Sequence, residues 1–231
     1  MTILAEPNMV GALTKISRIY SQKNAVIISI GFDSSAELIN DIEFGEPADI
    51  FISAHRYWID NLKQKGLVDI YNIGHIANDS LVLITSKNNI KISKELLEED
   101  LDFARSLNIL NQTNADLIVD NQGSSLGQYS QNLLKDLNLN NIKVFEKIYE
   151  DKTSVTNLIM NNPDSYTILL GSQVREDSEF KVLSTLKNQQ IFYQALVIAG
   201  DNMDTAREFL KFLKSKQARD IFEENGFIVE N

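Results

Sequence analysis

A strand, a serine-bearing turn, a helix, a glycine-proline corner and a second strand follow one another within residues 28–58, and this unit constrains the fold most. The sequence there is ISIGFDSSAELINDIEFGEPADIFISAHRYW. The first strand is predicted to end near Gly31, apolar residues recur at helical spacing over 38–42, and the second strand covers 49–53. A chain built from such units favours a sheet with helices packed on it.

The serine pair in this unit, Ser34 and Ser35, stands where the predicted helix begins. A helix start has unpaired backbone N–H groups and the positive end of the helix dipole, so a turn with two hydroxyls there is suited to hold an anion. The structural alternative is a capping box between Ser34 and Glu37. The two interpretations are compatible, because a cap at Ser34 leaves the hydroxyl of Ser35 for another role.

The same pattern of strand, small or polar turn and helix recurs along the chain. A strand over 2–5 precedes Asn8, which is predicted to cap a helix over 10–21, and a Val/Ile-rich run predicts a buried strand over 25–30. This alternation favours an α/β fold with parallel strands, whose ligands bind at the carboxyl ends of the strands. Four turns are therefore expected to line one site: residues 6–9, 33–36, 123–127 and 151–154.

The charge and composition of the chain limit the classes of partner and cofactor that it can bind. The formal net charge of −10 disfavours nucleic acids and anionic membranes, which are bound through clustered Lys and Arg. The absence of cysteine excludes disulfides and thiolate chemistry, and two histidines without ligand spacing disfavour a metal or catalytic His centre. We therefore expect no cofactor, no metal and no nucleic acid. The length of 231 residues accommodates one large domain or two lobes.

The segment from Ser35 to Trp58, and above all GEPADIFISA over 45–54, resembles the signature of the periplasmic molybdate- and tungstate-binding proteins of ABC transporters. Weaker similarity lies in NDSLVLI over 78–84, in Gly127 with Tyr129, and over 217–227. The resemblance implies a bilobed type II periplasmic-binding-protein fold with two crossing segments, near 81–85 and 192–198. One lobe would hold residues 1–83 and 195–231, and the other would hold 84–194.

The resemblance also implies how such a protein works. A small oxyanion would be bound in the cleft between the lobes, and the membrane permease of the transporter would read the closure of the lobes. We expect a monomer that acts outside the cytoplasm, in the periplasm or on a lipid anchor, and that catalyses no reaction. No secretory signal is visible at the start of the sequence. The chain is therefore expected to be cytosolic or to begin where a precursor is cleaved.

Ligand positions carried over from the family are Asn8, Ser34, Ser35, Leu126 and Lys152. Ser35 matches a ligand serine, Ser34 keeps its capping role, and Asn8 stands in place of the first-turn serine. Leu126 and Lys152 would donate backbone N–H groups, and the ammonium of Lys152 is expected to point either inward or to solvent.

Three further residues distinguish this chain from the family pattern. Leu170 occupies the position of a usual ligand tyrosine, and the acidic Glu6 and Asp33 flank two of the turns and disfavour a doubly charged anion. The sequence thus predicts a site for a small oxyanion, molybdate-like or another small anionic solute, with an altered pocket.

Two other functions remain open from the sequence. The same architecture serves as the cytosolic effector-sensing domain of transcription regulators. An enzyme on this scaffold is disfavoured, because no nucleophile–base pair or paired carboxylates stand at a defined spacing; Asp120 and Asp151 are acids on loops.

Overall fold

The computed structural model describes residues 1–139, 142–146, 154–175, 178–187 and 190–230. In chain order its helices and strands are β1 (Thr2–Ala5), α1 (Val10–Asn24), β2 (Ser29–Phe32), α2 (Ser35–Glu43), β3 (Ile50–Ser53), α3 (Arg56–Gln64), β4 (Val68–Asp79), β5 (Leu81–Ser86), α4 (Phe103–Gln112), β6 (Asp116–Val119), α5 (Ser125–Asp136), β7 (Lys143–Glu146), α6 (Val155–Asn161), β8 (Tyr166–Leu170), β9 (Phe180–Thr185), β10 (Ile191–Ile198), α7 (Met203–Leu213) and α8 (Lys216–Glu224). Short 3-10 turns cover Pro7–Met9, Lys94–Leu97 and Gly171–Gln173.

The chain divides into two compact units. Met1–Asp79 and Ile191–Asn231 form the first unit, and Ser80–Gln190 forms the second. Strand β5 therefore belongs wholly to the second unit and β10 wholly to the first, so the chain passes between the units just before each of these strands.

The first unit contains a five-stranded sheet in the order β2-β1-β3-β10-β4. Strand β1 pairs in parallel with β2 and with β3, whereas β10 is antiparallel to both β3 and β4. Parallel neighbours need a crossover connection, and α1 and α2 provide it. In β3 every residue is buried, as expected of a strand covered on both faces.

The second unit repeats this arrangement with a sheet in the order β7-β6-β8-β5-β9. Strand β6 pairs in parallel with β7 and β8, and β5 runs antiparallel to β8 and β9. All residues of β5 and β8 are buried. Both units are thus α/β layers, as predicted, but their sheets are mixed rather than parallel throughout.

The predicted strand over 25–30 begins too early, because β2 covers Ser29–Phe32. Ala25 follows α1 in the left-handed conformation with φ of 51°, which ends the helix and turns the chain before the strand starts. Ile27 is 86% exposed. The apolar run that predicted a buried strand is therefore partly a surface connection.

Among the described residues, helices long and apolar enough to cross a membrane are absent.

Candidate functional site

The parallel strands of the first sheet end together. Ala5 of β1 lies beside Phe32 of β2 and beside Ile52 of β3, so the predicted turns 6–9 and 33–36 leave the sheet at one edge. We call this the first carboxyl edge. Because ligands of α/β sheets bind at the carboxyl ends of the strands, it is the candidate site in the first unit.

Ser34 is the N-cap of α2 at this edge, which confirms its predicted capping role. Its Oγ accepts a hydrogen bond from the amide of Glu37 at 3.4 Å. The Ser34 amide donates to Oδ1 of Asp33 at 2.8 Å. The cap fixes the first turn of the helix, and the next residue, Ser35, is held at its start.

Ser35 is joined to two other buried polar residues. Its hydroxyl donates to Oε1 of Glu6, and Oγ of Ser53 lies 2.9 Å from Oγ of Ser35 and 3.3 Å from Oε1 of Glu6. Glu6 is 4% exposed, and Ser35 and Ser53 are fully buried. We call these three residues the Glu6 cluster. A buried carboxylate requires hydrogen-bond donors, and the cluster thereby ties the end of β1 to the start of α2 and the end of β3.

His55 continues this network at the start of α3. Its amide donates to Oγ of Ser53 at 3.3 Å, and its Nδ1 accepts from the amide of Tyr57 at 3.2 Å, which makes it the N-cap of α3. In the neutral ring the proton then sits on Nε2. Burial lowers the pKa of His55 below its usual value, because the charged imidazolium is desolvated.

Asn8 does not cap α1, and that prediction is wrong. Pro7 opens a 3-10 turn ahead of the helix, and Met9 takes the N-cap position, so Asn8 lies inside a helical turn rather than before it. Its Nδ2 donates to the hydroxyl of Tyr193 at 2.6 Å. Asn8 therefore lies at the first carboxyl edge, but this contact holds its side chain toward β10.

The second unit has a corresponding helix start after β6. Ser124 caps α5 by accepting from the Gly127 amide at 2.9 Å, so α5 begins within the predicted turn 123–127. Leu126 is the second residue of the helix and is 5% exposed. Amides of the first turn have no acceptor within their own helix, which suits the Leu126 amide to the role that the resemblance implies.

Gly127 is fixed at this helix start by a close backbone approach. A Cβ added there would lie 1.8 Å from the carbonyl oxygen of Asn121. Asn121 itself is buried, and its Oδ1 accepts from the Gly123 amide at 2.9 Å. The glycine is required for packing, independently of any ligand.

Two positions remain: Lys152, the last ligand position carried over from the family, and Leu170, which stands where the family usually has a ligand tyrosine. Lys152 lies outside the described residues, as does most of the predicted turn 151–154. Leu170, at the end of β8, is 2% exposed, and its amide donates to Oε1 of Gln173 at 3.0 Å. Its side chain is part of the apolar core of the second unit.

A polar cavity of about 260 Å³ lies elsewhere in the second unit, where β6 and β8 begin, and its lining includes Asp116 and Tyr166. Lys91 and Asp164 also line it and form an ion pair of 2.9 Å. Their mutual hydrogen bond raises the pKa of Lys91 and lowers that of Asp164. Because these charges neutralise each other, the cavity is a poor candidate for an anion site.

Within the described ranges, no group of three or more His, Asp or Glu residues is placed to hold a metal ion.

Sequence reasoning missed Ser53, although a signal was present: Ser53 ends a buried strand at the same edge as the Ser34–Ser35 turn. The contact between Glu6 and Ser35 had no local signal, because 29 residues separate them.

Comparison with known proteins extends over the whole chain. A family model described as bacterial extracellular solute-binding protein matches residues 1–228. Over 236 residues the chain is 25% identical to the molybdate-binding protein ModA of Escherichia coli K12, and the match covers 100% of this chain and 89% of ModA. The resemblance seen in the sequence is thereby confirmed.

Solved structures show the same fold. The periplasmic molybdate-binding protein of Azotobacter vinelandii superimposes with a TM-score of 0.73 at 14% identity, over 100% of both chains. The tungstate ABC transporter structure from Geobacter sulfurreducens gives a TM-score of 0.78 at 14% identity, over 97% of each chain. The predicted bilobed α/β fold of periplasmic binding proteins is confirmed.

Proposed function

This chain belongs to the family of bacterial extracellular solute-binding proteins, and on that premise we propose that it captures a small oxyanion, or another small anionic solute, for an ABC transporter. The names of its relatives support this function: ModA of Escherichia coli is a molybdate-binding protein, and the Geobacter structure is that of a tungstate ABC transporter. The function is binding and delivery, and we expect no catalysed reaction.

The proposal rests on one observation in the first unit. The start of α2, with the Ser34 cap and Ser35, lies at the first carboxyl edge beside Ser53. Backbone N–H groups of the first helical turn supply neutral donors to an anion, and a serine hydroxyl does so when it turns from its present acceptor to the anion. We assign Ser35 as the central contact. Asn8, Leu126 and Lys152 complete the proposed set through the resemblance to the molybdate-binding family.

The proposed role in an ABC transporter also implies where the protein acts and which protein it works with. We expect the protein to work outside the cytoplasmic membrane as a monomer, in the periplasm or on a lipid anchor, and to deliver its solute to the membrane permease. A ligand that binds one conformation more tightly shifts the protein toward it, so the permease would recognise the loaded form.

The direct test is isothermal titration calorimetry with molybdate, tungstate, sulfate and phosphate. We expect saturable heat from at least one of these anions. Ser35→Ala should weaken that binding about tenfold or more, because a hydrogen bond to a charged group contributes about 1.5–3 kcal/mol.

Ser29→Ala is the matched control. Ser29 is exposed at the opposite end of β2, so the same atom is removed away from the first carboxyl edge and affinity should not change. Absence of heat from all four anions would refute oxyanion capture. Equal affinities of the Ser35→Ala and Ser29→Ala variants would remove Ser35 from the site.

A further inference from the structure

The polar cavity of the second unit lies away from the strand ends that carry the predicted ligand positions. Asp116 and Tyr166, the first residues of the parallel strands β6 and β8, line it. The capped start of α5 instead follows the other end of β6. The cavity is therefore at the opposite end of these strands from Leu126, and the proposed oxyanion contacts do not use it.

The cavity is large enough for a small organic molecule. Its volume of about 260 Å³ equals that of roughly eight or nine water molecules at about 30 Å³ each. Pockets for drug-sized ligands are larger, at about 300–1,000 Å³. A ligand that fills this cavity has about the size of an amino acid, and the buried side chain of Leu96 gives it one apolar wall.

Two lysine–aspartate pairs line the cavity, and they differ in how completely they are satisfied. Nζ of Lys91 lies 2.9 Å from Oδ2 of Asp164, whose Oδ1 also accepts from the Ile90 amide at 3.3 Å. Nζ of Lys143 lies 3.9 Å from Oδ1 of Asp116, which is beyond the distance of a hydrogen bond. Among the described residues, neither of these last two side chains forms a hydrogen bond, so the ammonium keeps its donors and the carboxylate its acceptors for a ligand.

The backbone places this loose pair side by side. Asp116 and Lys143 are register partners in the parallel pairing of β6 with β7. The end of α4 adds to the negative side of the cavity, because Thr113, its C-cap, and Asn114 also line it and the C-terminal end of a helix attracts cations. The cavity thus presents a group that binds cations, Asp116 with the helix end, next to Lys143, a group that binds anions.

A zwitterion satisfies both groups at once. Its ammonium donates to Asp116 and its carboxylate accepts from Lys143, so two charge-assisted hydrogen bonds replace the loose pair. The two charged groups of an α-amino acid are attached to one carbon, which matches protein groups that lie side by side. An anion alone would be repelled by Asp116, and a cation alone would be repelled by Lys143.

We propose that this cavity is a second binding site, specific for a small zwitterion of the α-amino-acid class. Asp116 binds its ammonium and Lys143 binds its carboxylate. Binding there does not depend on the proposed oxyanion site.

The test titrates alanine, propionate, ethylamine and glycerol into the wild-type protein at neutral pH by calorimetry, with saturation-transfer NMR for weak binding. Alanine should bind saturably. Propionate lacks the ammonium and ethylamine lacks the carboxylate, so each should bind about tenfold or more weakly, the factor for one lost hydrogen bond to a charged group. Glycerol offers neutral hydroxyls of similar size and should also bind about tenfold or more weakly.

Substitutions locate the binding. Asp116→Asn and Lys143→Gln should each weaken alanine binding about tenfold or more. Both side chains are about half exposed, so the fold should tolerate these changes. Asp136→Asn and Lys181→Gln are the matched controls, because they remove the same charges from exposed positions of the second unit outside the cavity, and they should keep the wild-type affinity.

Absence of alanine binding to the wild-type protein would overturn the second site. Glycerol binding as tightly as alanine would assign the cavity to neutral polar solutes and overturn its preference for a zwitterion. Unchanged alanine affinity in both Asp116→Asn and Lys143→Gln would place the amino acid elsewhere and overturn the roles of these residues. None of these results bears on oxyanion capture, which is tested with other ligands and other variants.

Discussion

The Nδ2 of Asn8 donates a hydrogen bond of 2.6 Å to the hydroxyl of Tyr193, a residue 185 positions later in the chain. Tyr193 is fully buried, and its ring stands edge-on to Phe227 with 5.3 Å between centroids. The bond joins the turn after β1 to β10, the strand with which the chain re-enters the first unit. The first carboxyl edge is therefore built from both ends of the sequence.

Tyr193→Phe removes this hydroxyl while keeping the ring in place. We expect the free energy of unfolding to fall by about 1 kcal/mol, the usual contribution of one hydrogen bond. Urea unfolding followed by the fluorescence of Trp58, the single tryptophan, measures it in the first unit. Tyr71→Phe is the control, because Tyr71 is 90% exposed; equal stability of the two variants would show that the Asn8 contact contributes nothing.

A side chain at Gly127 should disrupt the start of α5. Its Cβ would overlap the carbonyl oxygen of Asn121, a backbone atom that cannot rotate away. We expect Gly127→Ala to lower the free energy of unfolding by more than about 2 kcal/mol, within the range for overpacked sites. Gly200→Ala should be tolerated, since nothing lies within 4 Å of its added Cβ. Urea unfolding followed by circular dichroism compares them, and similar midpoints would contradict the prediction.

Much of the fold was predictable because its signals are local. The serine cap of α2, the buried run of β3 and the turns after the strands depend on residues close together in sequence. The direction of β10 was not predictable, because alternation of strands and helices says nothing about a strand that returns after the second unit. Antiparallel pairing needs no crossover helix that a pattern could reveal.

The sequence predicted where the candidate site lies better than it predicted the hydrogen bonds that its residues make. The resemblance and the helix start both pointed to Ser35, and the sequence already showed an acid at Glu6. That the Ser35 hydroxyl donates to this acid depends on the register between β1 and β2, which no spacing rule in the sequence gives. Asn8 failed as a cap for a local reason: the proline before it starts a 3-10 turn.

His55 should make the first unit sensitive to mild acid. Its pKa is lowered in the folded protein by burial, so the unfolded chain binds the proton more readily between the folded pKa and the usual value of about 6.5. The free energy of unfolding should therefore fall as pH decreases through this window, and the whole contribution of the neutral ring should be present above it. Protonation would also remove the acceptor that Nδ1 offers to the Tyr57 amide.

The variant that checks this is His55→Asn, which keeps a capping side chain without a titrating ring. Urea midpoints measured between pH 7.5 and pH 5 should fall less steeply in the variant than in the wild type. His75→Gln leaves His55 in place and should retain the wild-type slope. Identical slopes for the wild type and His55→Asn would contradict the prediction.

The ion pair between Asp69 and Arg207 should make the stability of the first unit depend on pH in a second, more acidic range. The Nη2 of Arg207 lies 2.7 Å and its Nε 3.1 Å from Oδ2 of Asp69, and this hydrogen bonding lowers the pKa of Asp69. A lowered carboxyl pKa stabilises the fold above the unfolded value of about 3.9, and that stabilisation is lost as pH falls through the folded pKa. Arg207→Gln should therefore lower the urea midpoint at pH 7, and the difference between its midpoint and that of the wild type should shrink below about pH 4.

The control is Lys216→Gln, which breaks the exposed pair with Asp220 and should change the free energy of unfolding by less than about 0.5 kcal/mol. If Arg207→Gln is less stable than the wild type by the same amount at every pH, the effect of the substitution comes from lost packing and not from the ion pair.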